Sequence, residues 1–350
     1  MNIVVVDVAA EKTGALSVLL DFYNYVKEHP QTDVEWFFLT SVVSLDETEH
    51  IHVIQERSIK KSWLHRLWWE YHDFGILIKR YNFNVVLSLQ NKSLPVKGVP
   101  QAVYFHNALH LLEKHSFSFF DRYERAYSIY NSLVTPLTMY SLRHCDLIIT
   151  QTNTMKAALE NKLENKRVIC IPPAIKTTIK KNDNVVKGFI YPCSPLVYKK
   201  HELIIEALNK CKQYNGEILF TFSESDNKYA ERIAVLSRGI SNIKFIGFQD
   251  REKLLELYCE YGLIFSSDVE SFPIPFAEAM AYGAPIISRD MAYAREILAD
   301  YENVEYFSNS DELAALLQMS GNASRGEPYS INTNSPWEKV VSSIEEISRR

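Results

Sequence analysis

The chain has 350 residues, 47% hydrophobic and 23% charged, the make-up of a soluble globular protein long enough for two domains. Only 11 glycines are present, which excludes collagen-like and linker-like chains, and no stretch approaches the roughly 18 apolar residues of a membrane span. The net charge of −5 is uneven: residues 1–180 hold 20 Lys and Arg against 18 Asp and Glu, and residues 181–350 hold 18 against 25, a balance that argues against a nucleic-acid partner. Five widely spaced cysteines without a C-x-x-C pair suggest neither a zinc site nor a disulfide framework, and read as small buried hydrophobes in a reducing compartment. The start, MNIVVVDVAAEK, has no basic n-region or long apolar run, so no signal peptide is expected and the expected location is cytoplasmic.

The first half opens with the buried-strand run NIVVVDV, then Thr13-Gly14, then a helical pattern from Ala15 to about Lys27. Further strands are predicted at 84–89, 101–106, 145–150 and 167–172, with helical stretches between them, including a long aromatic one across 119–143. The second half alternates more regularly. Strands are predicted at 187–192, 217–222, 243–248, 262–267, 284–288 and 304–307, with helices at 199–214, 228–237, 251–261, 293–298 and 310–320. Strand–helix alternation in both halves predicts an α/β protein of two doubly wound parallel sheets, each presenting ligands at the carboxyl ends of its strands, facing each other across a cleft. The expected division is a first domain over 1–172, a polar hinge over 173–186, a second domain over 187–335, and a final helix over 336–350 that returns to the first domain.

The segment SDVESFPIPFAEAMAYGAPIIS, residues 267–288, carries the chemistry. Glu270 falls just past the strand at 262–267, Pro273 and Pro275 hold Phe272 and Ile274 extended, and Pro275 suits the first position of a helix. The amides of Phe276 and Ala277 are then expected to be unpaired, an anion site at a helix N-terminus. Glu278 in that first turn could merely complement the helix dipole, but beside an anion site a carboxylate is better used on the two hydroxyls of a ribose. Gly283-Ala284-Pro285 closes the helix.

E-S-F-P-I-P-F-A-E-A-M-A-Y-G-A-P resembles the E-x7-E region of the family-4 retaining glycosyltransferases of GT-B fold. The resemblance places Glu270 by the donor sugar and diphosphate and Glu278 on the nucleotide ribose, with turn amides near Ser271 and Phe272 touching the sugar or its phosphates. The family usually has glycine where this chain has Pro273, so one amide donor is absent. Lys199, Lys200 and His201 open the helix after the strand at 187–192, cations set against the helix dipole. The family's diphosphate-binding lysine corresponds to Lys199, followed by HELIIEAL at 201–208. A plain exposed basic cluster is the alternative. Ser194 stands where the family carries an arginine five residues before that lysine, and is placed among the donor-binding residues. NIKFIGFQDREKLLELY resembles the strand and helix lying against the base, with Phe248 either contacting it or packing in the core. Gly14 matches a glycine loop near the diphosphate, though glycine also suits a tight strand-to-helix turn. His106, ending VYFH, matches a histidine near the donor sugar, or is structural.

No D-x-D occurs, and Asp268-x-Glu270 is a conceivable substitute. The resembled fold uses side-chain cations and helix dipoles on the leaving diphosphate, so metal-independent transfer without a further cofactor is expected. Residues 57–81, RSIKKSWLHRLWWEYHDFGILIKRY, hold six Lys and Arg against two acids and three of the five tryptophans. They read either as an anionic-membrane surface, which the aromatic tract 117–140 favours and where a polyprenyl-diphosphate-linked glycan acceptor would dock, or as a surface helix whose aromatics pack inward. The implied function is retaining transfer from a nucleotide-diphosphate sugar to a bacterial surface glycan such as capsule, O-antigen or exopolysaccharide. The alternatives are a non-catalytic glycosyltransferase-like scaffold and a nucleotide-sugar epimerase. No G-x-G-x-x-G follows a strand, which argues against a dehydrogenase.

Overall fold

The computed structural model describes all residues except 12, 114, 115, 176, 182–184, 321, 322, 332, 334, 335 and 350, and among the described residues thirteen strands are interspersed with helices. Two compact units result: Met1–Leu111 with Tyr130–Ala174 and Asn334–Arg350, and Leu112–Ile129 with Ile175–Thr333.

The first unit is built on a seven-stranded parallel sheet: β1 (Asn2–Asp7), β2 (Glu35–Thr40), β3 (Ile51–Gln55), β4 (Val85–Ser88), β5 (Gln101–Phe105), β6 (Leu147–Thr150) and β7 (Val168–Cys170), in the order β3-β2-β1-β4-β5-β6-β7. Runs such as VVLS and LIIT are buried throughout, because helices on both faces leave a parallel sheet no wet side. Neither β2 nor β3 is among the predicted strands. The last helix, Pro336–Ser348, packs Trp337, Val340, Val341, Ile344 and Ile347 into this unit's core, with Trp337 5.0 Å from Phe22 and 5.3 Å from Tyr104 between ring centroids.

The second unit carries β8 (Gly188–Tyr191), β9 (Glu217–Phe220), β10 (Ile243–Phe245), β11 (Gly262–Phe265), β12 (Ile286–Arg289) and β13 (Val304–Phe307), in the parallel order β10-β9-β8-β11-β12-β13. The order reverses between β8 and β11, and the carboxyl ends of that strand pair form the crevice where open α/β sheets take ligands. Two expected boundaries are corrected. Residues Leu112–Ile129, expected in the first domain, belong to the second unit, where Tyr123 and Tyr127 pack on its core and Asp121 pairs with Arg232. Of the expected hinge at 173–186, residues 173 and 174 belong to the first unit and the described residues from Ile175 on to the second: the Ile175 amide donates to Thr333 Oγ1, the Lys180 amide to Ala281 O and the Val186 amide to Ala323 O, while residues 176 and 182–184 lie outside the described residues.

His201, first residue of the helix His201–Lys210, lies fully buried against Tyr191, Phe220, Phe222 and Tyr229. Burial, helped by the nearby Lys199 charge, depresses its pKa from 6.5 to about 3. The unfolded chain therefore takes up a proton below pH 6.5 that the folded chain refuses until about pH 3. Stability is fully present above pH 6.5 and is lost through that window, by about 2 kcal/mol at pH 5. A His201→Phe chain is expected to show a flatter fall of Tm across the window than the parent in a thermal-melt pH series.

Candidate active site

At the end of β8 the chain passes through a short 3-10 turn, Val197–Lys199, and reaches Lys200, whose φ of 52° puts a residue with a β-carbon in left-handed backbone. Such a residue costs about 1–2 kcal/mol, so something must hold it there. Tyr191, at the end of β8, donates its hydroxyl to Lys199 O at 2.8 Å. Ser266, just past β11, donates to Lys199 O at 2.8 Å and to Lys200 O at 3.0 Å. Two strand ends thereby fix the lysine turn directly over the switch point.

Lys199 therefore precedes the helix and does not lie in its first turn. Lys200 is the N-cap residue, and His201 is neutral, so the expected triad of cations against the helix dipole is corrected to one lysine in a preceding turn and one at the cap. The Lys199 side chain passes Tyr198 and Phe265, 5.5 and 5.8 Å from their ring centroids, and donates to Glu270 Oε1. Both partners are nearly buried. Burial works against the ammonium charge, but the Glu270 carboxylate outweighs it and leaves the Lys199 pKa above the ordinary lysine value. Tyr127, from the crossing segment Leu112–Ile129, sets its ring edge-on to Tyr198 at 5.7 Å.

Beside this pair the Asp268 amide donates to Tyr198 O at 2.8 Å, while its carboxylate is gripped by Arg289, with Lys200 Nζ 3.5 Å away. Arg289 ends β12, and its burial pushes its pKa down. Asp268 and Glu270 are thus both engaged by cations. Among the described residues no group of three or more His, Cys, Asp or Glu is placed to hold a metal ion.

The turn after Glu270 departs from expectation in one useful way. The helix runs Ile274–Ala281 with Pro273 as its N-cap residue, so Ile274 is helical and Pro275 takes the second position. The Phe276 amide donates to Pro273 O at 3.0 Å, and Ala277, fourth in the helix, stands where intrahelical bonding begins. The anion donors expected there are consequently engaged. The amides of Ser271 and Phe272 have no partner among the described residues. Phe276 instead uses its ring, buried 4.8 Å from Phe265, to fasten the helix to β11. Gly283 closes the helix at φ 61°, where a Cβ would come 2.3 Å from Gly326 O.

Glu278 is the fifth residue of the helix, beyond the first turn, so the dipole role does not explain it. It is 4% exposed and accepts a hydrogen bond from Arg251 Nε at 3.1 Å. Burial raises its pKa above the usual carboxylate value even against the pull of Arg251. A buried acid whose surroundings disfavour its charge is a costly feature to maintain for packing alone.

Ser194 is exposed, its carbonyl accepting from the Leu196 amide at 2.9 Å. Phe248 is 86% exposed in the loop after β10, which removes the core-packing reading. The remaining two residues belong to the first unit. Gly14 lies inside the helix Thr13–Glu28 with nothing within 4 Å of a built Cβ, so a tight turn is not its reason. His106 follows β5. Its Nε2 donates to Leu89 O at 2.8 Å, which leaves Nδ1 as the acceptor nitrogen, and burial lowers its pKa, so the ring is neutral. The residues that sequence reasoning missed are Arg251, Arg289, Tyr198 and Tyr127. Only Arg289 carried a signal, as a charged residue closing an otherwise apolar strand.

The sheet order, the switch point and the acid–lysine site define the class: a protein of GT-B fold. Residues 180–319, within the second unit, match the family model described as glycosyl transferases group 1. Among solved structures the chain is similar to a sucrose-phosphate synthase from Thermosynechococcus elongatus (14% identity, TM-score 0.65, covering 99% of this chain and 96% of that one) and a glycosyltransferase from Rickettsia africae (16%, 0.65, 99% and 98%). It is also similar to Anabaena HepE in complex with UDP and glucose (14%, 0.65, 99% and 100%). A comparison by sequence with curated proteins finds no match.

Proposed function

We propose that the protein transfers a sugar from a nucleotide-diphosphate donor to a glycan hydroxyl, with retention and without a metal ion. The observation that carries the reading is the nearly buried Lys199–Glu270 pair at the switch point of a glycosyl transferases group 1 domain. HepE, which shares the fold, is seen with UDP-glucose. Lys199 and Lys200 carry the charge that a leaving diphosphate requires, with the open Ser271 and Phe272 amides on the turn beside them. Glu278 takes the ribose hydroxyls, and Phe248 the base. An arriving diphosphate competes with Glu270 for Lys199, which turns the Glu270 carboxylate toward the sugar. In the front-face route the acceptor oxygen bonds to the anomeric carbon as the bond to the β-phosphate oxygen breaks, and that oxygen takes the acceptor proton. Positioning and charge stabilisation are the protein's contributions. The acceptor fits a lipid-linked bacterial surface glycan.

The test is donor turnover: the chain is incubated with a panel of nucleotide sugars, and slow hydrolysis or transfer is followed by release of the nucleoside diphosphate. Turnover lost in Lys199→Ala supports the reading. No turnover and no binding of any nucleotide sugar would leave the scaffold reading in its place, and a changed sugar on an intact donor would show an epimerase. Phe248→Ala is expected to change stability by no more than about 0.5 kcal/mol, as is typical of surface changes, and to weaken nucleotide binding by about tenfold, measured by calorimetry.

A further inference from the structure

Two helical segments of the first unit turn apolar side chains outward, although the first also buries Trp69 and Phe74 in the core. The first consists of the helix Trp63–Trp68, the π-turn Trp69–Asp73 and the helix Phe74–Tyr81. Trp63 (71% exposed), Leu64, Leu67, Trp68, Tyr71 and Ile76 face outward. Glu70 is only 3% exposed, receiving Lys92 Nζ at 2.6 and 2.7 Å and Arg66 Nε at 3.0 Å. The second consists of the π-turn Tyr130–Val134 and the helix Thr135–Leu142. Here Leu133, Leu137 (70% exposed) and Tyr140, one apolar stripe at i, i+4 and i+7, point outward, while Asn131, Thr135 and Thr138, the same spacing in polar residues, are buried. The inward polar stripe has a purpose. Thr135 Oγ1 lies 2.9 Å from His110 Nδ1 and Tyr130 OH lies 3.0 Å from His110 Nε2, and Asn107 donates to that same Tyr130 hydroxyl at 3.1 Å.

One loop ties the two segments together at the carboxyl end of β4. Arg66 Nη2 donates to Gln90 Oε1 at 3.3 Å, and Ser93 Oγ donates to Ser141 O at 2.6 Å. Exposed leucine and tryptophan over buried threonine and glutamate is the unfavourable arrangement in water. It becomes favourable where the outward side meets hydrocarbon under a headgroup layer, the depth at which tryptophan and tyrosine settle. The charge is complementary to anionic lipid. Residues 57–81 carry six Lys and Arg against two acids; Arg66 pairs with the inward Glu70 and Lys60 with Glu11, which leaves Arg57, Lys61, Lys79 and Arg80 without an acidic partner among the described residues. A second copy of the chain on the same face would oppose like charges across a two-fold axis.

We infer that these two segments form a membrane-docking face that seats the first unit in the headgroup layer of an anionic bilayer. The inference stands apart from the transfer chemistry, because its readout needs no donor. The full chain is sedimented with phosphatidylcholine vesicles, with and without phosphatidylglycerol, and its tryptophan emission is recorded. Binding to the anionic vesicles with a blue shift is expected, with weaker binding to the neutral ones. Leu133→Ser/Leu137→Ser and, separately, Trp63→Ser/Trp68→Ser should each lower partitioning by about tenfold or more with Tm unchanged, since all four side chains are exposed. Absence of binding to either vesicle overturns the inference, as does binding that neither double variant weakens. A dimer in sedimentation velocity that either double variant dissociates would assign the face to a second copy and equally overturn it.

Discussion

Lys199→Ala is expected to lower kcat/KM for sugar transfer by about 10²–10³-fold, the usual loss when one preorganised charge donor is taken from a developing anion. The same change strands Glu270, a nearly buried carboxylate paired with that lysine, and removal of one member of a buried pair costs about 3–5 kcal/mol. Activity and fold would then fall together. The double variant Lys199→Ala/Glu270→Ala separates them, because with both charges gone the desolvation penalty goes too. Its Tm should recover most of the loss while transfer stays absent. Recovery of transfer along with Tm would show that the pair serves the fold alone.

Glu278 offers the converse separation. Glu278→Ala is expected to lose charge-assisted hydrogen bonds to the ribose worth about 1.5–3 kcal/mol, a fall of about tenfold to somewhat over a hundredfold in donor affinity by calorimetry. Unchanged affinity in a folded variant would remove the ribose role. Glu278→Gln adds a test of stability. Because burial holds the Glu278 pKa above its unfolded value, ionising it costs stability at neutral pH, and that cost fades as pH falls through the folded pKa into the ordinary carboxylate range. The glutamine chain should consequently melt no lower than the parent at pH 7, with any advantage shrinking toward acid pH, while donor binding is still reduced.

Much of the second unit was legible because its strands are short apolar runs set between capped amphipathic helices, and such patterns specify both the element and its inward face. The E-x7-E turn was legible for a related reason: two prolines, a closing glycine and two acids leave few local conformations. In the first unit EWFFLT and IHVIQ escaped the reading, the second because β3 is an edge strand with partly wet residues. The segment 130–142 reads as helical within the aromatic stretch 119–143, but the burial of Asn131, Thr135 and Thr138 opposite its exposed leucines is not legible there. Periodicity reports that a helix has two sides and is silent on which side faces inward.

From its order of residues alone the chain determined two parallel α/β sheets, the glutamate-flanked turn and the lysine that follows β8, since each depends on local backbone preferences and short-range spacing. Tertiary structure alone decided that Lys199 meets Glu270 across 71 residues, that Arg251 meets Glu278 across 27, that Arg289 takes Asp268, and that the helix amides close while those of the turn stay open. These are pairings between strand ends and helices brought together by sheet order. Only the assembled sheet, with its reversal between β8 and β11, sets the distances on which charge interactions depend.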